Sequence, residues 1–424
     1  MRSNNIVKII SIIVIILSLL IIGVIFYQQR TTIVSNTVQL GKNIINYFPL
    51  GSATKQPSWN NTGSTTNSTP VAGGDPALEQ KVQFEKIAEK PVASASVLNL
   101  PGASSTLVFI EKETGNIFQI KNGGQAERIS NLTIPEVFDA YFGIDKSKNI
   151  RVVVRSVVND QLQSIILNLN NNTAFSTSSD PSLRITKRVL PVAIKSITLS
   201  PQKDQLLLVE EVGSRAIIYT TDFDLKNKKI IKVLPFTDWL VSWVSSDVVA
   251  FQTRASSDVP GSVYYLNLKD ASFRRVGANI LGLTTLINPD AKSIIYSTSF
   301  GQSFSLVVRN FTTNKASNYT PKTLPEKCLW LSNNTAFICA VPNNLPSANY
   351  PDDWYQGNIS FSDSIWLYYS ENGQSIQIYN PEKENINLDL VPQGRDEFEN
   401  CYFIDKNTSQ LYRLNGQNVF DPGT

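Results

Sequence analysis

The segment ITLSPQKDQLLLVEE, residues 197–211, reads as an apolar strand, a polar turn and a second apolar strand. The same order returns in VSWVSSDVVAFQTR (241–254), TLINPDAKSIIYSTS (285–299) and CLWLSNNTAFICAVP (328–342). The last large apolar residue before each turn is Leu199, Trp243, Ile287 and Trp330, at spacings of 44, 44 and 43 residues. An earlier copy carries Phe142 in that place, 57 residues before Leu199, and the excess fits a long connection around residues 176–188. At the two ends, LVFIEKETGNIFQI (107–120) aligns without a gap with CYFIDKNTSQLYRL (401–414), at an offset of 294. A period of about 40–45 residues with four strands per unit marks the blades of a β-propeller, whose faces are buried by stacking in a ring. The expected fold is therefore all-β: a seven-bladed β-propeller over residues 91–424, with six or eight blades as alternatives. The last repeat lacks a readable first strand. A strand near residues 92–100 is expected to complete the ring by pairing with the C-terminal blade.

The turns Ser200-Pro201-Gln202-Lys203-Asp204 and Asn288-Pro289-Asp290-Ala291-Lys292 each precede an apolar strand. They resemble the S-P-D-G-K turn of WD40-like, TolB-type propellers. The resemblance covers roughly residues 92–424 and implies a fold without importing catalytic residues. The layout as a whole resembles membrane-anchored bacterial propellers.

Working outward to the N-terminus, Ile9 to Phe26 is an uncharged run of eighteen residues whose only polar members are Ser11 and Ser18. As a helix it spans roughly 27 Å, and its neighbours extend it to the hydrocarbon thickness of a bilayer. The run exceeds the h-region of a signal peptide, no A-x-A-like site follows, and Gln28-Gln29-Arg30 closes it. Residues 9–27 are thus expected to form an uncleaved transmembrane helix, a signal anchor, with residues 1–8 as a short cytoplasmic tail. Residues 28–50 form a juxtamembrane segment. Residues 51–90 are a Ser/Thr/Asn/Gly/Pro-rich, disordered linker, with one short helix expected over residues 76–90. Arg2 and Lys8 favour a cytoplasmic N-terminus, which puts the C-terminal mass outside the cytoplasm on a single-pass anchor in the cell membrane.

Composition excludes several kinds of chemistry. The chain has no histidine, which removes imidazole bases and histidine metal sites. Residues 28–424 carry 36 basic and 35 acidic groups, so no electrostatic footprint for nucleic acid exists. No cofactor and no metal site is expected; Asp352-Asp353 lacks the D-x-D-x-D-G spacing of an EF-hand calcium loop.

The clearest irregularity is the insertion VPNNLPSANYPDDWYQGNISFSDSIW, residues 341–366, which gathers Asp352, Asp353, Trp354, Tyr355 and Asp363 between prolines. Long loops in compact domains are usually functional. Aromatic faces beside carboxylates suit glycan or peptide recognition, whereas the bland alternative has Trp354 and Tyr355 capping a blade edge. The leading expectation is a membrane-held binding or scaffold module for a protein, peptide or glycan at the cell envelope. The alternative is a hydrolase or lyase acting on envelope carbohydrate, with Asp352, Asp353, Asp363, Glu210 or Glu211 as its carboxylates. In CLWLSNNTAFIC, a two-residue turn at Asn333-Asn334 sets Cys328 opposite Cys339 as a hydrogen-bonded pair about 5.5 Å apart, a disulfide candidate outside the cytoplasm. Cys401 is left over and expected to be buried.

Overall fold

The structure, a computed structural model, describes residues 83–100, 105–169 and 185–416. Seven four-stranded antiparallel sheets form the ring, so the count of seven holds. The inner strands are Val92–Leu98, Val137–Ile144, Ile194–Leu199, Leu240–Trp243, Thr285–Ile287, Cys328–Trp330 and Leu390–Arg395. The expected transmembrane helix, the juxtamembrane segment and residues 51–82 of the linker lie outside the described residues. Among the described residues no helix is long and apolar enough to cross a membrane.

Burial explains the apolar runs. The second strands, such as Thr106–Glu111 and Leu206–Val212, are covered on both faces by neighbouring blades and read as continuous Val, Leu and Ile. Outer strands such as Ile185–Val189 are mostly exposed and carry Thr, Lys and Arg. The core lies between blades. Val108 and Ile110 of blade 1 pack on Phe142, Val152 and Val154 of blade 2. Leu207 and Val209 of blade 3 meet Val249 and Phe251 of blade 4.

Ring closure differs from expectation. Val92–Leu98 is the inner strand of blade 1, whereas the strand that completes blade 7 is Phe84–Lys86. It pairs with Leu411–Leu414 through Phe84↔Leu414 and Lys86↔Tyr412, and the Phe84 ring stacks on Tyr412 at 5.1 Å. The propeller thus begins at Phe84, inside the stretch read as linker and short helix. The first strand of blade 7, Leu390–Arg395, escapes the pattern because Pro392 and Gly394 flank a register shift within it. Leu107 and Phe109 of blade 1 pack on Ile404 and Leu411 of blade 7 and seal the seam.

The Cys328 hairpin keeps its expected register, Cys328↔Cys339 and Trp330↔Phe337. Its turn is longer than the sequence suggests. Leu331 N–H donates to Ala336 O at 3.0 Å and Asn334 N–H to Leu331 O at 3.2 Å, so residues 332–335 form the loop, with Asn334 left-handed at φ +59°. Alternation from a hydrogen-bonded 331/336 pair makes Cys328/Cys339 a non-hydrogen-bonded pair, which sits closer. The Cα atoms are 4.0 Å apart and the sulfurs are bonded. Cys401 is free and buried.

Candidate functional site

Antiparallel strand order puts the ends that lead from first to second strand, and in blades 1–6 from third to outer strand, at one end of the ring, and the other strand ends at the opposite one. The insertion joins the second and third strands of blade 6, Ala336–Pro342 and Asp363–Tyr369, whose ends pair through Pro342↔Asp363. It therefore rises from one end, the insertion end, and folds across blades 4, 5 and 7. Asp352 Oδ2 accepts from Ser257 N at 2.6 Å. Ser299 Oγ donates to Tyr350 O at 2.6 Å. Lys406 Nζ donates to Trp354 O at 2.5 Å. The close seating needs Gly282: a Cβ there would lie 1.8 Å from Ser299 Oγ and 2.7 Å from Tyr350 O.

Beneath the insertion sits a buried charge cluster. Lys327 is fully buried, with its Nζ 2.7 Å from Asp363 Oδ2 and 2.5 Å from Asp389 Oδ1. Asp389 Oδ2 accepts from Trp354 Nε1 at 2.9 Å and Phe361 N at 3.1 Å. The Lys327 ammonium lies 5.2 Å from the Trp354 ring and 5.1 Å from the Phe361 ring, and the Lys406 ammonium 4.8 Å from the Trp354 ring. Burial disfavours the Lys327 charge, but Asp363 and Asp389 more than offset it and raise its pKa. Burial lowers Lys406 to about 8.

Burial also pushes the Asp363 carboxyl up to about 7, against the pull of Lys327. A carboxyl raised on folding stabilises fully below its unfolded value of 3.8, and that contribution is lost as pH rises through about 7. The urea midpoint is accordingly expected to fall between about pH 4 and about pH 7, and Asp363→Asn to flatten that slope. An unchanged slope in the variant would remove Asp363 as its source.

The structure divides the five sequence candidates. Trp354, Tyr355 and Asp363 converge on the cluster, at 0%, 6% and 0% exposure. Tyr355 donates its hydroxyl to Glu326 Oε1. Asp352 and Asp353 stand nearer the surface, where Asp353 Oδ2 accepts from Asn349 N at 2.7 Å and Oδ1 from Asn358 Nδ2 at 3.0 Å. The expectation that Trp354 and Tyr355 offer flat faces to a ligand is corrected: both rings pack inward with Phe304, Tyr350, Phe361 and Val391. Asp363 is likewise a partner of Lys327 and not an open carboxylate. Glu210 and Glu211 face Lys228 and Lys195 at 3.2 and 2.8 Å. Sequence reasoning missed Lys327, Asp389 and Lys406. Asp389 carried one readable signal, a carboxylate set between Leu388 and Leu390.

Two further features bear on function. Val158, Val192, Val212, Phe236, Val259 and Phe300 are 40–69% exposed, and strand direction places all six at the insertion end. Chain entry is at the other end, because Phe84 pairs with Leu414, the last residue of a strand that runs away from the insertion end. At that far end a cavity of about 300 Å³ opens among the inner strands of blades 1–4, lined by Ser96, Tyr141, Phe142, Thr198, Leu199, Lys203 and Trp243 among others. Lys203 Nζ donates to Ser96 Oγ at 2.5 Å and Val97 O at 2.7 Å, and burial lowers its pKa to about 8.

No family model matches the chain, and no curated protein matches it. Solved structures do. Oligogalacturonate lyase from Vibrio parahaemolyticus superposes with a TM-score of 0.52 at 10% identity, covering 80% of this chain and 94% of that one. An oligogalacturonate lyase in complex with manganese gives 0.51 at 10% identity, with the same coverage. TolB from Acinetobacter baumannii gives 0.36 at 12% identity over 76% of this chain and 63% of that one. Likeness at this identity speaks for architecture alone: the chain is a seven-bladed β-propeller, the fold that its resemblance to WD40-like, TolB-type repeats implies.

Proposed function

We propose that this chain is a membrane-anchored, extracytoplasmic binding or scaffold module for a protein, peptide or glycan at the cell envelope. The observation that carries the reading is the apolar insertion end, which bears Val192, Val259 and Phe300 on the side of the ring away from the entering chain. Exposed apolar surface gathered on one face is what a docking partner covers. The anchor is the apolar run of residues 9–27, and a tether entering at the far end leaves the insertion end free to face outward. Binding is favoured over hydrolysis because the insertion carboxylates are committed to Ser257 N, Asn349 N and Lys327.

The test is a pull-down from membranes with the intact chain and with Val259→Glu plus Phe300→Glu, two surface changes that leave the cluster untouched. A partner captured by the parent and lost by the variant supports the reading. An identical set of captured proteins removes it, and turnover of envelope polysaccharide by the parent would select the hydrolase or lyase alternative instead. Location is tested separately. Mass spectrometry without reduction is expected to find Cys328 and Cys339 linked and two hydrogens lighter; free thiols at both would contradict an oxidising compartment.

A further inference from the structure

We infer that the far-end cavity is a binding site for a small organic monocarboxylate with an apolar body, recognised by Lys203. The argument begins from charge. Lysine is almost never buried without an ionic partner, because desolvating an ammonium is costly. Lys203 is held by two neutral acceptors, the Ser96 hydroxyl and the Val97 carbonyl, and forms no ion pair among the described residues. Those bonds use two of its three N–H groups. One positive charge and one donor therefore stay unanswered beside the cavity.

Backbone geometry keeps the group in place. Lys203 adopts φ +59°, and its carbonyl accepts from Ile144 N at 2.8 Å. Gly143 lets the turn approach that closely, since a Cβ there would lie 2.4 Å from Lys203 O and 2.3 Å from Phe223. The ammonium is thus carried by a turn fastened to blade 2 and tied to the inner strand of blade 1.

The ligand class follows from the lining. A single uncompensated charge matches a singly charged anion better than a phosphate dianion. Phe142, Leu199 and Trp243 supply apolar surface, and the Thr198 hydroxyl, which already accepts from Trp243 N at 3.1 Å, supplies a polar edge. A carboxylate on an apolar or aromatic body satisfies both. This site lies at the opposite end from the docking face and stands independently of it.

The experiment is isothermal titration of the full-length chain in lipid nanodiscs with sodium phenylacetate, and with neutral phenylacetamide as its uncharged counterpart. Phenylacetate is expected to bind at least about tenfold more tightly than the amide, and Lys203→Met to weaken it by about ten- to a hundredfold, the worth of a charged hydrogen bond. The same variant is expected to melt no lower than the parent, because it removes a buried charge that lacks an ionic partner. Absence of phenylacetate binding to the parent, or binding that survives Lys203→Met, overturns the inference. So does a lower melting temperature in that variant, which would make the ammonium a structural tie between blades 1 and 3.

Discussion

Lys327→Met is expected to cost about 3–5 kcal/mol of folding stability, the range seen when one partner of a buried ion pair is removed. The cost comes from what is left behind. Asp363 and Asp389 would lose the cation between them, at a place where both are fully buried. Asp389 keeps its bonds from Trp354 and Phe361, whereas Asp363 Oδ2 keeps only the Leu390 N–H. Asp363 is therefore the group made worse. Adding Asp363→Asn to Lys327→Met should recover a substantial part of the loss, since it removes a carboxyl that without Lys327 must either carry a second buried negative charge or take up a proton to fold. Urea unfolding of the three proteins checks this. A double variant no better than Lys327→Met would show that the lysine acts through packing of its stem and not through charge.

Trp354→Ala is expected to be of similar size, about 3–5 kcal/mol, from lost apolar burial and the cavity that remains. The indole is 0% exposed and near-parallel to Phe361. Trp354→Phe separates the contributions: it keeps most of the volume and loses the N–H bond to the Asp389 carboxylate, so about 1.5–3 kcal/mol is expected. Limited proteolysis within residues 343–362 should accelerate most in the alanine variant and less in the phenylalanine one. Equal protection in all three would mean that the insertion is held by contacts that do not need the indole, those to Ser257, Ser299, Lys406 and Glu326.

The fold was legible where the chain repeats itself. Strand–turn–strand spacing counted the blades, and the FIEKET/FIDKNT match identified two equivalent turns, in which Thr114 bonds Glu111 and Thr408 bonds Asp405. It failed where local preference and tertiary demand disagree. VQFEKIAEK is rich in Glu, Lys, Gln and Ala, all helix formers, and yet Phe84–Lys86 is a strand because the edge of blade 7 requires one. In the insertion, prolines and aromatics signalled order. Which way Trp354 points was unreadable, because its partner Asp389 lies 35 residues on and Lys327 meets that same carboxylate across 62. A buried cluster assembled from three distant stretches leaves no period, only single charged residues in apolar surroundings.

The strand that closes blade 7 has a consequence for biosynthesis. Glu85 bonds Arg413, 328 residues later, so the first strand of the ring to leave the ribosome is the last to find its place. At ~5–20 residues per second the wait is about 15–70 s. Throughout that interval six blades can assemble in order while the opening strand stays unmatched, and the nascent ring becomes a closed object only after its final turn has been translated.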